Sequence, residues 1–289
     1  MPTLRIGIFG ASGFVGRALR GLAVRAGDEA VCFSRQERPG FRIFRGAEDL
    51  DGLDAIVNLA GEPILGLWTS ERRRSILESR VGGTRRIVEA ITSGRSTVRT
   101  LVNASAIGFY GDTGDRVVDE TSSRGSGFLA ETCQAWEASA AVLVGVRVVL
   151  MRIGFVIGNG GAMSLIRPVF RVGLGGRLGS GKQWMSCIHV EDVAGMILWA
   201  LHQETVSGPV NSVMAEPVTN SEFTKAVATS VRRPAIFPTP AFVLKVALGE
   251  LSHVLLDSSR VVPGVARKHG YAYRFGTLAD ALQALPSRK

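Results

Sequence analysis

Cysteine and tyrosine are scarce in this 289-residue chain, and long apolar runs are absent. The three cysteines, Cys32, Cys133 and Cys187, lie far apart, in a spacing that fits neither a disulfide framework nor a metal site. No apolar run reaches the roughly 18 residues that a membrane span requires, and the apolar N-terminal stretch is too short for a signal peptide. We therefore expect a cytoplasmic protein with reduced thiols, no metal and no membrane contact.

Lysine is also scarce, with 5 residues against 29 arginines, and the formal net charge is +9. A basic balance raises nucleic acid as a partner. The cations are scattered, however, and the one tight cluster, residues 72–74, has no interleaved aromatic side chains that could stack on bases. We therefore expect a solvated basic face and no nucleic-acid binding, with anionic small ligands accounting for part of the charge.

The start of the chain carries a pattern typical of a dinucleotide site. Residues 4–9 form a short apolar run that predicts a buried strand, and the apolar periodicity from Val15 onward predicts a helix. Gly10, Gly13 and Gly16 lie between them, where a side chain would block the approach of backbone to pyrophosphate and of helix to strand. A bare glycine triplet also fits a plain tight turn, but one between a strand and a helix indicates phosphate binding at the helix start.

The end of the second predicted strand decides which coenzyme we expect. Residues 30–33 are followed by Ser34 and Arg35, whereas Asp28 and Glu29 precede the strand and lie at its wrong end. An acidic residue after the strand would hold the ribose hydroxyls of NAD, and an arginine accommodates the 2′-phosphate of NADP. Arg35 therefore favours NADP, and the alternative is an ordinary surface arginine.

Two later strands run into small or hydroxyl-bearing residues, which are found at the ligand crevice of open α/β sheets. The strand predicted over residues 54–59 is followed by Ala60 and Gly61, which let the backbone lie close to a sugar or pyrophosphate. The strand predicted over residues 100–104 is followed by Ser105. These strand ends are candidate walls of the cofactor crevice.

Strands and helices alternate through the first half of the chain, which predicts an α/β fold with a Rossmann-type, doubly wound parallel sheet. The pattern then changes, and residues 173–181 form a glycine-rich loop that follows no strand. We expect an NADP-binding Rossmann domain over residues 1–154, with the chain returning to it through about 184–202 and 209–213. The remainder, residues 155–289, is expected to form mostly a smaller, substrate-side C-terminal α/β module.

Several segments agree with one family. They are GASGFVG (residues 10–16), Ser34-Arg35, NLAGEPI (58–64), SAIGFYG (105–111), Trp136-Glu137, Arg152, QWMSCIHVEDVA (183–194) and PVTNSEF (217–223). With them the chain resembles, over essentially its whole length, the epimerase-family branch of atypical extended short-chain dehydrogenases. In that branch a Rossmann domain carries a small C-terminal module.

The resemblance implies NADP(H) as the cofactor. The residues that it implicates are Gly10, Ser12, Gly13, Phe14, Val15, Ser34, Arg35, Leu59, Ala60, Gly61, Arg80 and Phe155. Arg80 lies on a predicted helix, from which it could turn toward anionic cofactor groups or form a surface salt bridge. His189 lies where extended members return to the sheet, and we favour a structural over a catalytic role for it.

The resemblance also draws attention to an absence. Short-chain dehydrogenases use a Tyr-x-x-x-Lys pair, in which the tyrosine transfers a proton and the lysine lowers the tyrosine pKa and holds the ribose. The three tyrosines, Tyr110, Tyr271 and Tyr273, have no lysine four residues later. On the helix that should carry the pair, the spacing places Phe128 at the position of the tyrosine and Thr132 at the position of the lysine. The standard proton relay is therefore absent.

Two functions stay open for such a chain. The first is an oxidoreductase or epimerase-like enzyme acting on a small molecule, whose proton comes from Tyr110 or from water held by Ser105. For Tyr110 the alternative is a packed tyrosine without a catalytic role. The second is a non-catalytic protein that binds NADP(H) and reports on redox state or supports a partner.

The surroundings of the nicotinamide end are expected to come from late segments of the chain. Gln183 and Trp184, with the loops over residues 112–127 and 173–181, are the candidate substrate walls. We expect both loops to be mobile. The helix that begins at Phe128 is a candidate homodimer interface.

Overall fold

The computed structural model describes residues 3–94 and 96–286. In chain order its strands are β1 (Arg5–Phe9), β2 (Glu29–Ser34), β3 (Arg42–Ile43), β4 (Ala55–Asn58), β5 (Thr100–Ala106), β6 (Arg147–Ile153), β7 (Phe155–Ile157), β8 (Trp184–Met185), β9 (Cys187–His189), β10 (Gly208–Ser212) and β11 (Val218–Thr219). Its α-helices are α1 (Phe14–Ala26), α2 (Ser70–Thr92), α3 (Phe128–Ala141), α4 (Met163–Arg171), α5 (Val190–His202), α6 (Asn220–Ser230), α7 (Ala241–Leu248), α8 (His253–Leu256), α9 (Gly264–Lys268) and α10 (Leu278–Gln283). No helix among these residues is both long and apolar enough to cross a membrane.

Seven strands form one parallel sheet in the order β10-β6-β5-β4-β1-β2-β3. The order runs outward in both directions from the β1–β4 pair, so the sheet reverses there. In open α/β sheets, ligands bind at the carboxyl ends of the strands beside such a reversal. The predicted Rossmann-type, doubly wound sheet is confirmed.

The central strand shows why helices cover both faces of this sheet. On β1, Ile6 and Ile8 pack on the side of α1 and α5. Phe9 packs on the opposite side, with the apolar residues of α2 and α3. Both faces are therefore apolar and covered, as a parallel sheet requires.

Helix α2 is continuous through two glycines. The periodicity predicts helical segments over residues 68–80 and 84–91, which the structure joins through Gly82 and Gly83. Each glycine weakens a helix by about 1 kcal/mol relative to alanine. Burial of the apolar side chains around the two glycines opposes this loss, and a side chain at Gly82 would overlap the Glu78 carboxylate.

The C-terminal half adds two small sheets and a second core. Strand β7 pairs with β9, and β8 pairs with β11, whereas β10 returns to the edge of the main sheet beside β6. Helices α4, α6 and α10 enclose the second core, which includes Phe170, Phe223 and Leu282. This half therefore has a core of its own and remains joined to the main sheet through β10.

Asn220 is a favoured helix-capping residue type, and the sequence predicts it as the N-cap of a helix that ends near residue 231, but this expectation is wrong. Helix α6 is capped by Thr219 rather than by Asn220, because Thr219 and Glu222 form a reciprocal capping box. The Asn220 side chain instead accepts a hydrogen bond from the Leu178 amide at 2.8 Å.

Candidate cofactor crevice

The glycine turn after β1 has the shape that a phosphate group needs. Gly10 has a φ of +76°, and a Cβ there would lie 2.7 Å from the Leu59 carbonyl oxygen. A Cβ on Gly16 would overlap the Gly10 oxygen and lie 2.7 Å from the Ala11 Cα. Gly13 is the N-cap of α1, with no side-chain cap and no acidic residue in the first turn. The free amides at this helix start can therefore bind an anion.

A second glycine-rich segment packs against the first residue of α1. The Phe14 ring lies against Gly158, Gly160 and Gly161, where added Cβ atoms would be 2.5, 2.6 and 3.1 Å from it. Phe155 lies on β7, half-buried, with its ring edge-on to another ring in the second core. The loop after β7 thus meets the start of α1 at the crevice.

Arg35, the residue predicted to meet the adenosine phosphate, lies directly after β2. Its side chain is 89% exposed, and its guanidinium approaches the Glu62 carboxylate at 3.3 Å. The Ser34 hydroxyl accepts a hydrogen bond from the Gln36 amide at 3.2 Å. An exposed pair of this kind is weak and screened by solvent. A phosphate group could therefore replace Glu62 as the partner of Arg35.

A buried polar cluster holds the turn that follows β4. The Asn58 amide donates to Asn103 at 2.8 Å and to Thr84 at 3.0 Å, and the Trp136 indole donates to Thr84 at 3.0 Å. The side-chain Oδ1 of Asn58 accepts from the Ala60 backbone amide at 3.2 Å. Because these groups are buried and hydrogen-bonded to one another, residues 59–61 have a defined path beside the crevice.

Arg80 reaches the same turn from α2. Its Nη1 donates to the Glu62 carbonyl oxygen at 3.0 Å and to the Ile76 carbonyl oxygen at 3.1 Å. A Cβ on Gly61 would lie 3.2 Å from the guanidinium carbon. Burial lowers the pKa of Arg80. The side chain therefore turns inward to the crevice and forms no ion pair with the carboxylates of the described residues.

Ser105 and Tyr110, the two predicted catalytic residues, belong to one buried network. Ser105 donates to Glu137 at 2.6 Å, and Glu137 accepts two hydrogen bonds from Arg152, both at 2.8 Å. Arg152 also donates to the Tyr110 hydroxyl at 2.9 Å, and that hydroxyl donates to Asn211 at 2.8 Å. The donor and the acceptor of the Tyr110 phenol are thus both in use, and burial raises its pKa.

The network continues into the C-terminal half. The Asn211 side chain donates to the Val262 carbonyl oxygen at 2.9 Å, and its backbone amide donates to Glu120 at 2.9 Å. Glu120 also accepts from the Val265 amide at 3.2 Å. The buried network around Ser105 and Tyr110 is therefore connected to the segment around α9.

The face of α3 that meets β5 differs from the predicted one by a single residue. Leu129 and Cys133 lie against Gly108, just beyond β5. Phe128 instead packs edge-on against Trp68, and the Thr132 hydroxyl is buried without a hydrogen bond to any described residue. Leu129 and Cys133 thus stand where Phe128 and Thr132 were expected.

The Cys133 thiol is a poor acid in this position. Burial, together with the negative charge of Glu137, raises the pKa of Cys133 to about 11, although the charge of Arg80 acts to lower it. The thiol is therefore protonated at neutral pH. Cys133 was not among the predicted crevice residues, and only the correct register of α3 could have revealed it.

Gln183 and Trp184, the candidate substrate residues, use their polar groups within the protein. The Gln183 amide donates to the carbonyl oxygens of Leu178 and Leu255, both at 3.1 Å. The Trp184 indole donates to Asp115 at 2.9 Å. They join three segments of the chain, and contact with a substrate stays a prediction.

The two loops expected to be mobile are anchored by backbone hydrogen bonds. In the loop over residues 112–127, the Thr113 amide donates to the Ser258 carbonyl oxygen at 2.8 Å. In the loop over residues 173–181, the Gly179 amide donates to the Thr239 carbonyl oxygen at 2.8 Å.

His189 has a structural position at the start of α5. Its Nδ1 accepts from the Glu191 amide at 3.3 Å, and its ring packs at 4.1 Å from that of Phe275. Burial lowers the pKa of His189, so the neutral ring that caps the helix is favoured.

Two family models and several known proteins match this chain over nearly its whole length. The family model described as "NAD dependent epimerase/dehydratase family" matches residues 6–213, and a model described as "Domain of unknown function (DUF1731)" matches residues 239–285. Epimerase family protein Mb2239 of Mycobacterium bovis is 39% identical over 296 residues, covering 98% of this chain and 97% of the relative. Mouse epimerase family protein SDR39U1 is 36% identical over 291 residues, covering 97% and 99%.

A solved structure is similar throughout. The crystal structure of human epimerase family protein SDR39U1 (isoform 2) with NADPH has a TM-score of 0.92 and 33% sequence identity. The match covers 97% of this chain and 98% of the human chain.

Proposed function

We propose that this chain, which belongs to the NAD dependent epimerase/dehydratase family, is an NADP(H)-binding oxidoreductase of the atypical extended short-chain type that acts on a small molecule. The observation that carries the proposal is the uncapped start of α1 beside the glycine turn, with Arg35 at the end of the neighbouring strand. The first feature fits a pyrophosphate and the second a 2′-phosphate. The human relative crystallised with NADPH supports this choice of coenzyme.

The proposed cofactor residues follow the crevice from one end to the other. Ser34 and Arg35 would hold the adenosine phosphate. The pyrophosphate would be held by the turn and helix start, namely Gly10, Ser12, Gly13, Phe14 and Val15. Leu59, Ala60, Gly61, Arg80 and Phe155 would lie along the nicotinamide half.

When bound, the coenzyme would supply hydride transfer. The chain's own part is to position the reacting groups, and Ser105 lies at the carboxyl end of β5, where a substrate oxygen or a water would meet its hydroxyl. Glu137 and Arg152 hold that hydroxyl in place. Tyr110 lies behind them, and we propose that it acts on Ser105 through Arg152 and Glu137.

The test has two stages. NADPH fluorescence titration on the folded protein should show saturable binding, and loss of absorbance at 340 nm should then follow addition of one member of a panel of carbonyl compounds and nucleotide sugars. Absence of binding to both NADPH and NADP⁺ would end the proposal. If turnover is found, Tyr110→Phe should lower it without abolishing coenzyme binding.

A non-catalytic NADP(H)-binding protein is the second candidate. It is favoured by the face of α3, which presents Leu129 and a protonated Cys133 in the crevice instead of an acid–base pair. Tight NADPH binding without turnover on any member of the panel would support this function.

We also propose a cytoplasmic location and a homodimer formed through α3. The three cysteines are all free and buried, which fits a reducing compartment. On α3, Glu131, Gln134 and Ala138 form an exposed stripe at helical spacing. Light scattering after size-exclusion chromatography should give the mass of a dimer, and a monomer would refute the interface. No retention on nucleic acid is expected.

A further inference from the structure

Outside the cofactor crevice, the C-terminal half carries an open groove between helix α6 and the loop that follows this helix. Its volume of about 770 Å³ lies within the range of small-molecule sites. None of the residues that line it is among those proposed for the coenzyme or for the reaction. A ligand of this groove is therefore a question independent of the proposed function.

Four cationic side chains line the groove, and no described carboxylate does; the cations are Arg177, Lys225, Arg232 and Arg233. Among the described residues, Arg177 donates only to the Ser180 carbonyl oxygen, at 3.3 Å. The other three side chains have no ion pair and no hydrogen bond with any described residue. Positive charges gathered in one groove repel one another, and an anion bound among them would relieve that repulsion.

Arg232 occupies a backbone position that usually holds glycine. Its φ is +55°, and no other non-glycine residue that the structure describes has a positive φ. The amides of Arg232 and Arg233 donate to the Thr229 and Ala228 carbonyl oxygens, both at 3.0 Å, which is the Schellman ending of a helix. Since a side chain is strained in this conformation, the arginine charge is present at a local cost in stability.

A buried threonine also lines the groove. Thr224 is 6% exposed, and its hydroxyl has no hydrogen bond with any residue that the structure describes. Buried hydroxyls are normally paired, so one without a partner at the wall of a cavity is available to a ligand oxygen. Thr224 directly precedes Lys225 on α6, which places a neutral donor beside the cations.

The loop after α6 supplies an aliphatic surface, namely Pro234, Ala235, Ile236 and Pro238. This loop is tied to a neighbouring segment, because the Thr239 amide donates to the Arg177 carbonyl oxygen at 2.9 Å and the Gly179 amide donates to the Thr239 carbonyl oxygen at 2.8 Å. No aromatic ring is among the described residues that line the groove, so a nucleobase would have nothing to stack on. An aliphatic group fits this surface better.

We propose that the groove binds an organic diphosphate with an aliphatic chain. The four cations hold the phosphate groups, the Thr224 hydroxyl donates to one of their oxygens, and the chain lies along the aliphatic loop. A single phosphate ester carries about 1.5 to 2 negative charges, so four cations match two phosphate groups better than one. Arginine suits this role because its guanidinium donates two parallel hydrogen bonds to a phosphate.

The experiment is a calorimetric titration at low ionic strength with three probes: inorganic pyrophosphate, geranyl diphosphate and uridine diphosphate. Pyrophosphate should bind, and geranyl diphosphate should bind at least about 5-fold more tightly, because its chain contacts the aliphatic loop. Uridine diphosphate should bind no more tightly than pyrophosphate. Saturating NADPH should leave the affinity for geranyl diphosphate unchanged.

Variants locate the site. Lys225→Gln should lower the affinity for pyrophosphate about 10-fold and Thr224→Val about 3-fold, since one charged and one neutral donor are lost. Arg232→Gly should lower it about 10-fold and at the same time raise the melting temperature, because glycine adopts the left-handed conformation without strain. Ile236→Ser should weaken only geranyl diphosphate, by about 3-fold.

Lys268→Gln is the matched control. It removes an exposed lysine from α9 and changes the net charge as Lys225→Gln does, but Lys268 does not line the groove. It should leave all affinities unchanged. Melting temperatures establish that each variant is folded.

Several results would overturn the inference. Equal losses in Lys225→Gln and Lys268→Gln would mean that net charge alone attracts the probes, and displacement of geranyl diphosphate by NADPH would place it in the crevice. Geranyl diphosphate no tighter than pyrophosphate would refute the aliphatic part. Binding to vesicles of phosphatidylcholine and phosphatidic acid, without binding of the soluble diphosphates, would identify a membrane surface as the ligand instead. Each of these results leaves the proposed function intact, whereas failure to bind NADPH would remove that function and not the groove.

Discussion

The two ends of the crevice are built in opposite ways. At the end proposed for the adenosine, Arg35 is 89% exposed and has an exposed, weak ion pair with Glu62. At the end proposed for the reaction, Ser105 and Tyr110 are 3% and 1% exposed, and their hydroxyls are bound within a buried network. One end therefore keeps its charge available to a ligand, whereas the other uses its polar groups to fix the protein. Substitutions should accordingly affect affinity at the first end and stability at the second.

The largest change in the free energy of unfolding is expected from Glu137→Gln. It leaves the buried Arg152 guanidinium without its carboxylate, and breaking a buried pair in this way destabilises a protein by about 3–5 kcal/mol. Urea unfolding measures the loss. The matched control is Glu191→Gln, which breaks the exposed pair with Arg274 and should change stability by less than about 1 kcal/mol. Similar losses in the two variants would remove the contrast between buried and exposed ends.

Gly16→Ala should abolish measurable NADPH binding. The added Cβ overlaps the Gly10 oxygen, so the turn must move away from α1 and the phosphate position is lost. Titration by NADPH fluorescence provides the measurement. Gly83→Ala is the control, since a Cβ there meets nothing within 4 Å and should leave binding unchanged. Retained affinity in Gly16→Ala would contradict the assignment of the turn.

Arg35→Ala should lower the affinity for NADPH about 10- to 100-fold, because one charged contact to the 2′-phosphate is lost. The affinity for NADH should change by less than about 2-fold. Calorimetry with both coenzymes makes the comparison. Arg38→Ala, in the same exposed loop, should change neither affinity. An equal loss for NADPH and NADH would show that Arg35 is not the phosphate residue.

Glu62→Gln should strengthen NADPH binding about 2- to 5-fold. In the unaltered protein the Arg35–Glu62 ion pair must break before Arg35 can bind the 2′-phosphate, and the variant has no such pair. NADH affinity should stay the same. The gain should disappear in the double variant with Arg35→Ala, and a gain that persists there would mean that Glu62 acts by another route.

The smallest effect concerns His189 and pH. Its pKa in the folded protein is lowered by burial, so the folded state binds fewer protons than the unfolded one below the ordinary histidine pKa of about 6.5. Stability that is complete above this pKa should therefore decline as the pH falls through it toward the lower folded pKa. His189→Asn keeps a helix-capping side chain without a titrating ring and should show a shallower decline in urea unfolding between pH 7 and pH 5. Equal slopes would assign the pH dependence to other groups.

The sheet and the glycine turn before α1 could be predicted because they depend on local patterns. Alternating apolar segments and glycines at Gly10, Gly13 and Gly16 require no knowledge of distant contacts. The contacts around Ser105 and Tyr110 were harder to predict from the sequence. Glu137 and Arg152 are 15 residues apart and meet only through the packing of α3 on the sheet.

The register of α3 illustrates the same limit. A long loop, residues 112–127, separates β5 from this helix, and the number of residues in a loop does not determine which helical face returns to the strand. The spacing therefore pointed to Phe128 and Thr132, one residue short of Leu129 and Cys133. Similarly, Asn220 is a good capping residue in isolation, and only the reciprocal bonds of Thr219 and Glu222 decide the start of α6.

The link from Tyr110 through Asn211 to Val262 has a consequence for how the chain can be divided. A fragment that stops at residue 154 would lack β10, so the outer edge of β6 would be bare and the phenol of Tyr110 would have no acceptor. We expect such a fragment to be insoluble and the two halves to unfold in a single transition. We therefore expect the part of the chain up to residue 154 and the part that follows it to form one cooperative unit. Neither proteolysis nor truncation should separate them into folded pieces.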